Sequence, residues 1–373
     1  MTPHAARRAP LTSGPLAVAL ATAAWIAVFA NGPLWSALAA LPETQSAHGA
    51  VFIGAFGVGV AALVLALLVP FAWRRTIKPV AALVLLSAAL GAHFMGTYGV
   101  VLDPTMMVNV LQTNAHETRD LLSPRLALTV LLLAGLPIAV LSRVRLRDAG
   151  LARQALHNAG ALLAAVAVVV GLCLALFADF SATVRNHRTV RYLINPLNAY
   201  WSIGVVASHA GARPAGPPQA IGLDATVLPG ALGPRPPLLL LVVGETARAD
   251  HFGLNGYARA TTPELARLDV VSFRDVTSCG TNTAASLPCM FSDLGHAGYA
   301  SRERDREGLL DLLQRAGLAV LWVENQSGCK GVCDRVPTVL ASAPAGGDPA
   351  LLAGLCEDGE CLDEALLRGL DER

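Results

Sequence analysis

LLLLVVGETARAD, residues 238–250, and SCGTNTAASLPCMFS, residues 278–292, decide the reading of this chain. The apolar run 238–243 has the length of a strand buried on both faces, and it stops at Gly244, Glu245 and Thr246, so a carboxylate stands where that strand ends. Further apolar runs at 270–273 and 318–323, with helix-like stretches such as 304–316 between them, predict an α/β region built on a doubly wound, mostly parallel sheet. Ligands of such sheets collect at the carboxyl ends of the strands. A carboxylate there suits a divalent metal, and zinc lowers the pKa of a bound hydroxyl enough for attack near neutral pH. Thr281, Thr283 and Ser286 are the hydroxyl candidates, and the turn opening at Gly280 aims backbone N–H groups at an anion such as a phosphate. Taken singly, a Glu after a strand is usually solvated and a Thr cluster is usually a helix cap.

Upstream the chain changes character. Of its 373 residues 54% are hydrophobic and 15% charged, against about a quarter charged in ordinary soluble domains. With a mean hydropathy of +0.51 this is the composition of a membrane protein. A formal charge of +1 argues against nucleic acid as a partner. Five apolar blocks, at 15–38, 50–73, 79–102, 126–141 and 159–177, have about the length a bilayer crossing needs. The fourth is short and contains Pro137. The first follows Arg7 and Arg8 and ends near Ala37, Leu38 and Ala39 like a signal peptide, but its long core and the four blocks behind it favour a retained helix.

Basic residues set the orientation. Arg7 and Arg8, then Arg74, Arg75 and Lys78, then Arg143, Arg145, Arg147 and Arg153 fall in alternate connections, while the loop 41–49 has no Lys or Arg. The N-terminus is therefore expected in the cytoplasm and everything after Phe177 outside it, in a bacterial periplasm. The expected division is a five-span domain at 1–180, a juxtamembrane segment and Pro/Gly-rich linker at 181–237, and the α/β domain at 238–373. Arg185, Arg188, Arg191, Tyr192, Tyr200 and Trp201 suit a membrane interface and its lipid head groups. In the outer loop 103–125, Asn109, Thr113 and Glu117 recur at helical spacing on one face, with Met106, Met107, Val110 and Leu111 on another that suits lipid.

Six of the seven cysteines form close pairs: Cys279 with Cys289, Cys329 with Cys333, and Cys356 with Cys361. Such pairs outside the cytoplasm read as disulfides, although Cys329 and Cys333 also have near-ligand spacing for a zinc knuckle. Cys173, alone in an apolar segment, reads as a packed thiol.

GETARADHFGLNGYARATTPEL at 244–265 and TSCGTNTAASLPCMFSD at 277–293 resemble the phosphoethanolamine transferases that modify lipid A, the group containing the mobile colistin-resistance enzymes. FMGTYGVVLD at 94–103, MMVNVLQTNAHE at 106–117, SGCKGVCDRVP at 327–337 and CEDGECLDEALL at 356–367 are similar to theirs and stand in the same order. The resemblance implies an alkaline phosphatase-like domain, with Glu245 as a zinc ligand and Thr283 as the nucleophile, itself touching zinc. It implies that Asn109, Thr113, Glu117, Ser327 and Lys330 line the substrate pocket. It also implies phosphatidylethanolamine as donor, lipid A as acceptor, and a phosphoethanolamine-threonine intermediate.

The family's remaining zinc ligands come from a later DHGE-type motif and a further His, and after Leu238 this chain has only His251 and His296. The expectation is a C-terminally truncated chain that binds zinc weakly and does not transfer. The competing readings are a related transferase with another lipopolysaccharide or glycan acceptor, and a non-catalytic membrane protein that binds lipid.

Overall fold

The computed structural model describes residues 12–113, 115–210, 216–230, 233–234, 237–244, 247–326, 328–343, 349–357 and 360–368. Two compact units divide the chain: Met1–Leu111 with Ala115–Ala210, and Gln112–Asn114 with Gly211–Arg373.

The first unit opens with β1 (Thr12–Ser13), which pairs in parallel with the later β2 (Arg145–Leu146). Next come α1 (Pro15–Phe29) and α2 (Gly32–Ala39), an apolar pair bent by 50° at Ala30 and Asn31. A break inside an apolar span frees carbonyls at the end of the first piece, and no water is at hand to take them. Here side chains do so. Asn31 Nδ2 donates to Ile26 O at 2.9 Å, Trp35 Nε1 to Ala27 O at 3.0 Å, and Asn195 Nδ2 to Ala30 O at 2.8 Å and Ala88 O at 2.6 Å. The two asparagines also clasp each other: Asn195 N donates to Asn31 Oδ1, and Asn31 Nδ2 to Asn195 O. Gly91 makes room for this, since a Cβ there collides with Asn195 Oδ1.

Four further apolar helices or helix pairs complete a set of up to five membrane crossings. They are α3 (Ala47–Leu68), continued by a 3-10 turn to Phe71, and α4 (Ile77–Tyr98), which ends at a left-handed Gly99. After the outer-loop helices α5 (Pro104–Gln112) and α6 (Ala115–Asp120) come α7 (Pro124–Val130) and α8 (Leu136–Arg143), joined by the π-helical turn Leu131–Gly135. Pro137 has no N–H for the carbonyl four residues back. Trp25 Nε1 takes that carbonyl, Leu133 O, at 3.0 Å, so the proline is absorbed inside one continuous span. Then α9 (Leu151–Ala175) starts well ahead of the expected 159, and its buried Gln154 and Asn158 both donate to Ala72 O behind α3.

Helices α10 (Phe177–Asn186), α11 (Arg188–Tyr192) and α12 (Leu197–Ala210) follow, so the segment expected at 181–237 as juxtamembrane chain and linker carries helices as far as Ala210. Asn198 Nδ2 and Ser202 Oγ both donate to Leu102 O, at 2.6 and 2.8 Å, and so hold the start of the outer loop. That loop is not one helix. α5 stops at Gln112 and α6 starts at Ala115, which breaks the spacing expected to align Asn109, Thr113 and Glu117. Met107, expected at lipid, is buried with Met95 and Leu102, because Asp103 caps the Met106 N–H and turns that face inward.

In the second unit the expected strands at 238–243 and 270–273 are not formed. Leu238 is 86% exposed and Val271 82%, and neither run pairs with a described strand. A strand apolar on both faces holds only between neighbours that supply both its ladder and its cover. What does form is α13 (Thr283–Met290), α14 (Gly295–Ser301), α15 (Leu309–Arg315) and two small sheets. β3 (Trp322–Glu324) runs parallel to β4 (Thr338–Leu340), with Trp322 opposite Thr338, and β5 (Cys356–Glu357) runs antiparallel to β6 (Glu360–Cys361). Helix formation expected over 304–316 is confined to α15. Leu287 of α13 and Phe291 just after it pack with Leu310 of α15 and with Cys329, Val332, Cys333 and Val336.

Candidate active site

Thr283 is the first residue of α13. Asn282 caps the helix, its Oδ1 accepting from the Ala285 N–H at 3.0 Å, which fixes the direction in which α13 leaves the turn. The Cys279–Cys289 disulfide ties the residues before the helix to its last turn. Leu287, Cys289 and Phe291 are buried below, so the helix is anchored by its far end while Thr283 stays half-buried. Thr281 is exposed and Ser286 half-buried on the same short segment.

Lys330 lies in the loop between β3 and β4, closed by the Cys329–Cys333 disulfide. Its φ of 50° is left-handed, between Gly328 at 93° and Gly331 at 91°. Only glycine adopts that region freely, so the loop holds Lys330 against its own backbone preference. Cys329 and Cys333 share a core with Leu287 and Phe291, so the Thr283 helix and the Lys330 loop are built on one packed base. The third disulfide, Cys356–Cys361, staples β5 to β6. Asn109 is half-buried on α5 and Thr113 falls in the break after it. Glu245, Ser327 and the side chain of Glu117 lie outside the described residues.

Among the described residues one group of three potential metal ligands occurs: Cys329, Cys333 and Asp334. Its two sulfurs are bonded to each other, so neither offers a thiolate, and the zinc-knuckle alternative for these cysteines is set aside. His251 Nδ1 lies 3.0 Å from Asp250 Oδ1, with its ring against Tyr257. Hydrogen bonds from Arg248, and then from His251, hold the exposed Asp250 carboxyl down to about 2. Among the described residues no other group of three such ligands comes together.

Two charged groups that sequence reading passed over shape this base. Asp311, at the start of α15, accepts from Arg335 Nε and Nη2 at 2.6 and 2.8 Å and from the Gly308 N–H at 2.8 Å. Burial pushes its carboxyl up, but the Arg335 guanidinium and the Gly308 amide outweigh burial and leave it below the usual carboxylate value. Glu324, buried at the end of β3, accepts from three donors. An Asp three residues into a helix is a capping signal that a reader could have used.

The family model described as phosphoethanolamine transferase EptA/EptB matches residues 60–210, and a sulfatase model matches 237–372. The integral membrane lipooligosaccharide phosphoethanolamine transferase A of Neisseria meningitidis superposes over 98% of this chain and 67% of its own, with a TM-score of 0.82 at 30% identity. The chain belongs to the phosphoethanolamine transferase family. Its helical membrane-type part is thus followed by a sulfatase-like domain. Phosphoethanolamine transferase EptA of Salmonella typhimurium is 36% identical over 96% of this chain and 65% of its own length. Phosphatidylethanolamine transferase Mcr-1 of Escherichia coli is 35% identical over 80% of this chain and 56% of its own. A more distant relative, 27% identical over 66% of this chain, is the Kdo(2)-lipid A phosphoethanolamine 7''-transferase of Escherichia coli. This family member spans between 56% and 65% of the length of the first two curated relatives.

Proposed function

We propose that the protein transfers phosphoethanolamine from phosphatidylethanolamine to a phosphate of lipid A through an ester on Thr283. The observation that carries this is likeness along the whole chain: membrane helices and Thr283 domain match one transferase together. In the first step Thr283 Oγ attacks the phosphorus of the donor. The phosphorus–oxygen bond to diacylglycerol breaks, and diacylglycerol leaves with the proton that Thr283 gives up. In the second step an oxygen of a singly protonated lipid A phosphate attacks the same phosphorus, the bond to Thr283 breaks, and the proton the acceptor gives up restores the threonine hydroxyl.

The N-terminus of α13 directs N–H groups towards the incoming phosphate, and the Lys330 ammonium offsets its charge. Family likeness supports a role for Glu117 at the ethanolamine ammonium and for Asn109, Thr113 and Ser327 in holding substrate. Zinc on Glu245 and Thr283 follows from the family likeness, and its chemistry would be to make the Thr283 hydroxyl a stronger nucleophile. The alternation of basic loops and the three disulfides of the second unit favour a bacterial inner-membrane protein, N-terminus in the cytoplasm and second unit in the periplasm.

Thr283→Ala tests the reading. Mass spectrometry of lipid A from expressing cells should show added phosphoethanolamine with Thr283 and none with the variant, and protein mass should show the adduct only with Thr283. Transfer that survives Thr283→Ala overturns the proposed nucleophile. The more distant relative named for a 7''-position motivates a second reading, in which phosphoethanolamine appears on a core sugar while the lipid A phosphates stay unmodified.

A further inference from the structure

β3 ends on Glu324, whose carboxylate is only 8% exposed. Oε2 accepts from Trp322 Nε1 at 2.6 Å, and Oε1 accepts from the backbone N–H of Gln326 at 2.9 Å and of Gly328 at 3.2 Å. All three partners are donors, and an ionised carboxylate only accepts, so the match is complete. A carboxamide of the same shape must set its own N–H against one of them. The loop beyond is tied down on its other side, where Asn325 Nδ2 donates to Cys361 O at 3.0 Å and to Asp363 Oδ1 at 2.9 Å. It then reaches Lys330, held left-handed at φ 50° inside the Cys329–Cys333 ring. Strained backbone persists only where its surroundings over-determine it, and Glu324 supplies that constraint at the entrance to the loop.

We propose that Glu324 is a positioning residue. By taking the Gln326 and Gly328 amides it fixes the backbone on the approach to Lys330 and so selects the conformation that presents that side chain, and it does so without touching substrate. What Lys330 meets, a donor phosphate, rests on the transferase reading; the geometry of the loop does not.

The test uses Glu324→Gln, Trp322→Phe and the two together in the full chain. In Glu324→Gln the carboxamide oxygen can face the two backbone amides only by setting its own N–H against the Trp322 N–H, so the group turns away and loosens its hold on them. Trp322→Phe removes that opposing donor while keeping an aromatic ring against Phe291, 5.9 Å away between centroids. Glu324→Gln should raise KM for phosphatidylethanolamine, lower kcat/KM about tenfold or more, and speed amide exchange at Gln326 and Gly328 about tenfold. Adding Trp322→Phe should bring both readouts back to within about threefold of Trp322→Phe alone. Unchanged exchange in Glu324→Gln overturns the proposal, and so does a defect that Trp322→Phe does not relieve. If no variant and no unsubstituted chain transfers, yet exchange follows the stated pattern, the transferase reading falls and the positioning role stands.

Discussion

In the membrane unit, carbonyls freed by irregular helix geometry are met by side chains from far along the chain: Asn195 reaches Ala30 across 165 residues and Trp25 reaches Leu133 across 108. In the second unit the covalent constraints are local, with disulfides at sequence separations of 10, 4 and 5. Of its buried carboxylates, Glu324 likewise organises a turn a few residues away, at Gln326 and Gly328, while Asp311 caps its own helix and reaches Arg335 24 residues on. The contrast follows from solvent. A bilayer offers no substitute donor, so the first unit needs its distant partners in place. In water an exposed loop finds donors anywhere, and what it lacks is a restriction on its freedom, which a short covalent ring supplies.

The comparison can be broken in three places. The largest effect is expected from Asn195→Ala, which leaves the buried Ala30 carbonyl without its donor, takes a second donor from Ala88 O inside α4, and should cost about 2–4 kcal/mol in detergent unfolding. Asn158→Ala is the control, because Gln154 still donates to Ala72 O; an equal loss there would deny that distance and irreplaceability go together. Next, Cys279→Ser with Cys289→Ser opens a ring of 10 residues, which chain entropy puts at about 2.5 kcal/mol. The loss should appear in the second unit's transition alone, since the described cross-links are all in that unit. A shift in the membrane helices' transition would contradict the division.

The smallest effect concerns acid. Asp311 is held below its ordinary 3.8, so its contribution is present above that pH and is lost as pH falls through the lower folded value. Unfolding of the second unit followed from pH 6 to 2, a range chosen to bracket the carboxylate value of about 3.9, should show that loss, and Asp311→Asn should flatten it. An identical acid profile in the variant would remove the Asp311–Arg335 pair from the account.

Much of this was legible in the sequence, for reasons that differ by region. The crossings could be read because length and hydropathy alone define them, and the helices observed lie close to the apolar blocks. Their irregularities could not, although Asn31, Gly32 and Pro33 are turn-forming residues inside an apolar block, because what stabilises the bend is Asn195, remote in sequence. Close cysteine spacing was enough to pair all six sulfurs now seen as disulfides. The run 238–243 misled as a local signal, because apolarity says that a segment wants neighbours and not that it has them. Thr283 at a helix start was visible as a cap pattern, whereas choosing it over Thr281 and Ser286 needed family likeness. Glu324 was invisible, since a Glu at a strand end reads as solvated until the loop supplies its donors.

The bend between α1 and α2 carries a consequence for biogenesis. One group that caps it, the Asn195 carboxamide, leaves the ribosome only after every apolar segment has been made. During synthesis the first segment therefore sits in the translocon or bilayer without its final partner, and Ala30 has to borrow water or lean on a neighbouring lipid. Its mature shape becomes stable only at the close of insertion. A chain arrested before residue 195 carries an open polar wound in the membrane, the kind of feature by which quality-control machinery tells unfinished proteins from finished ones.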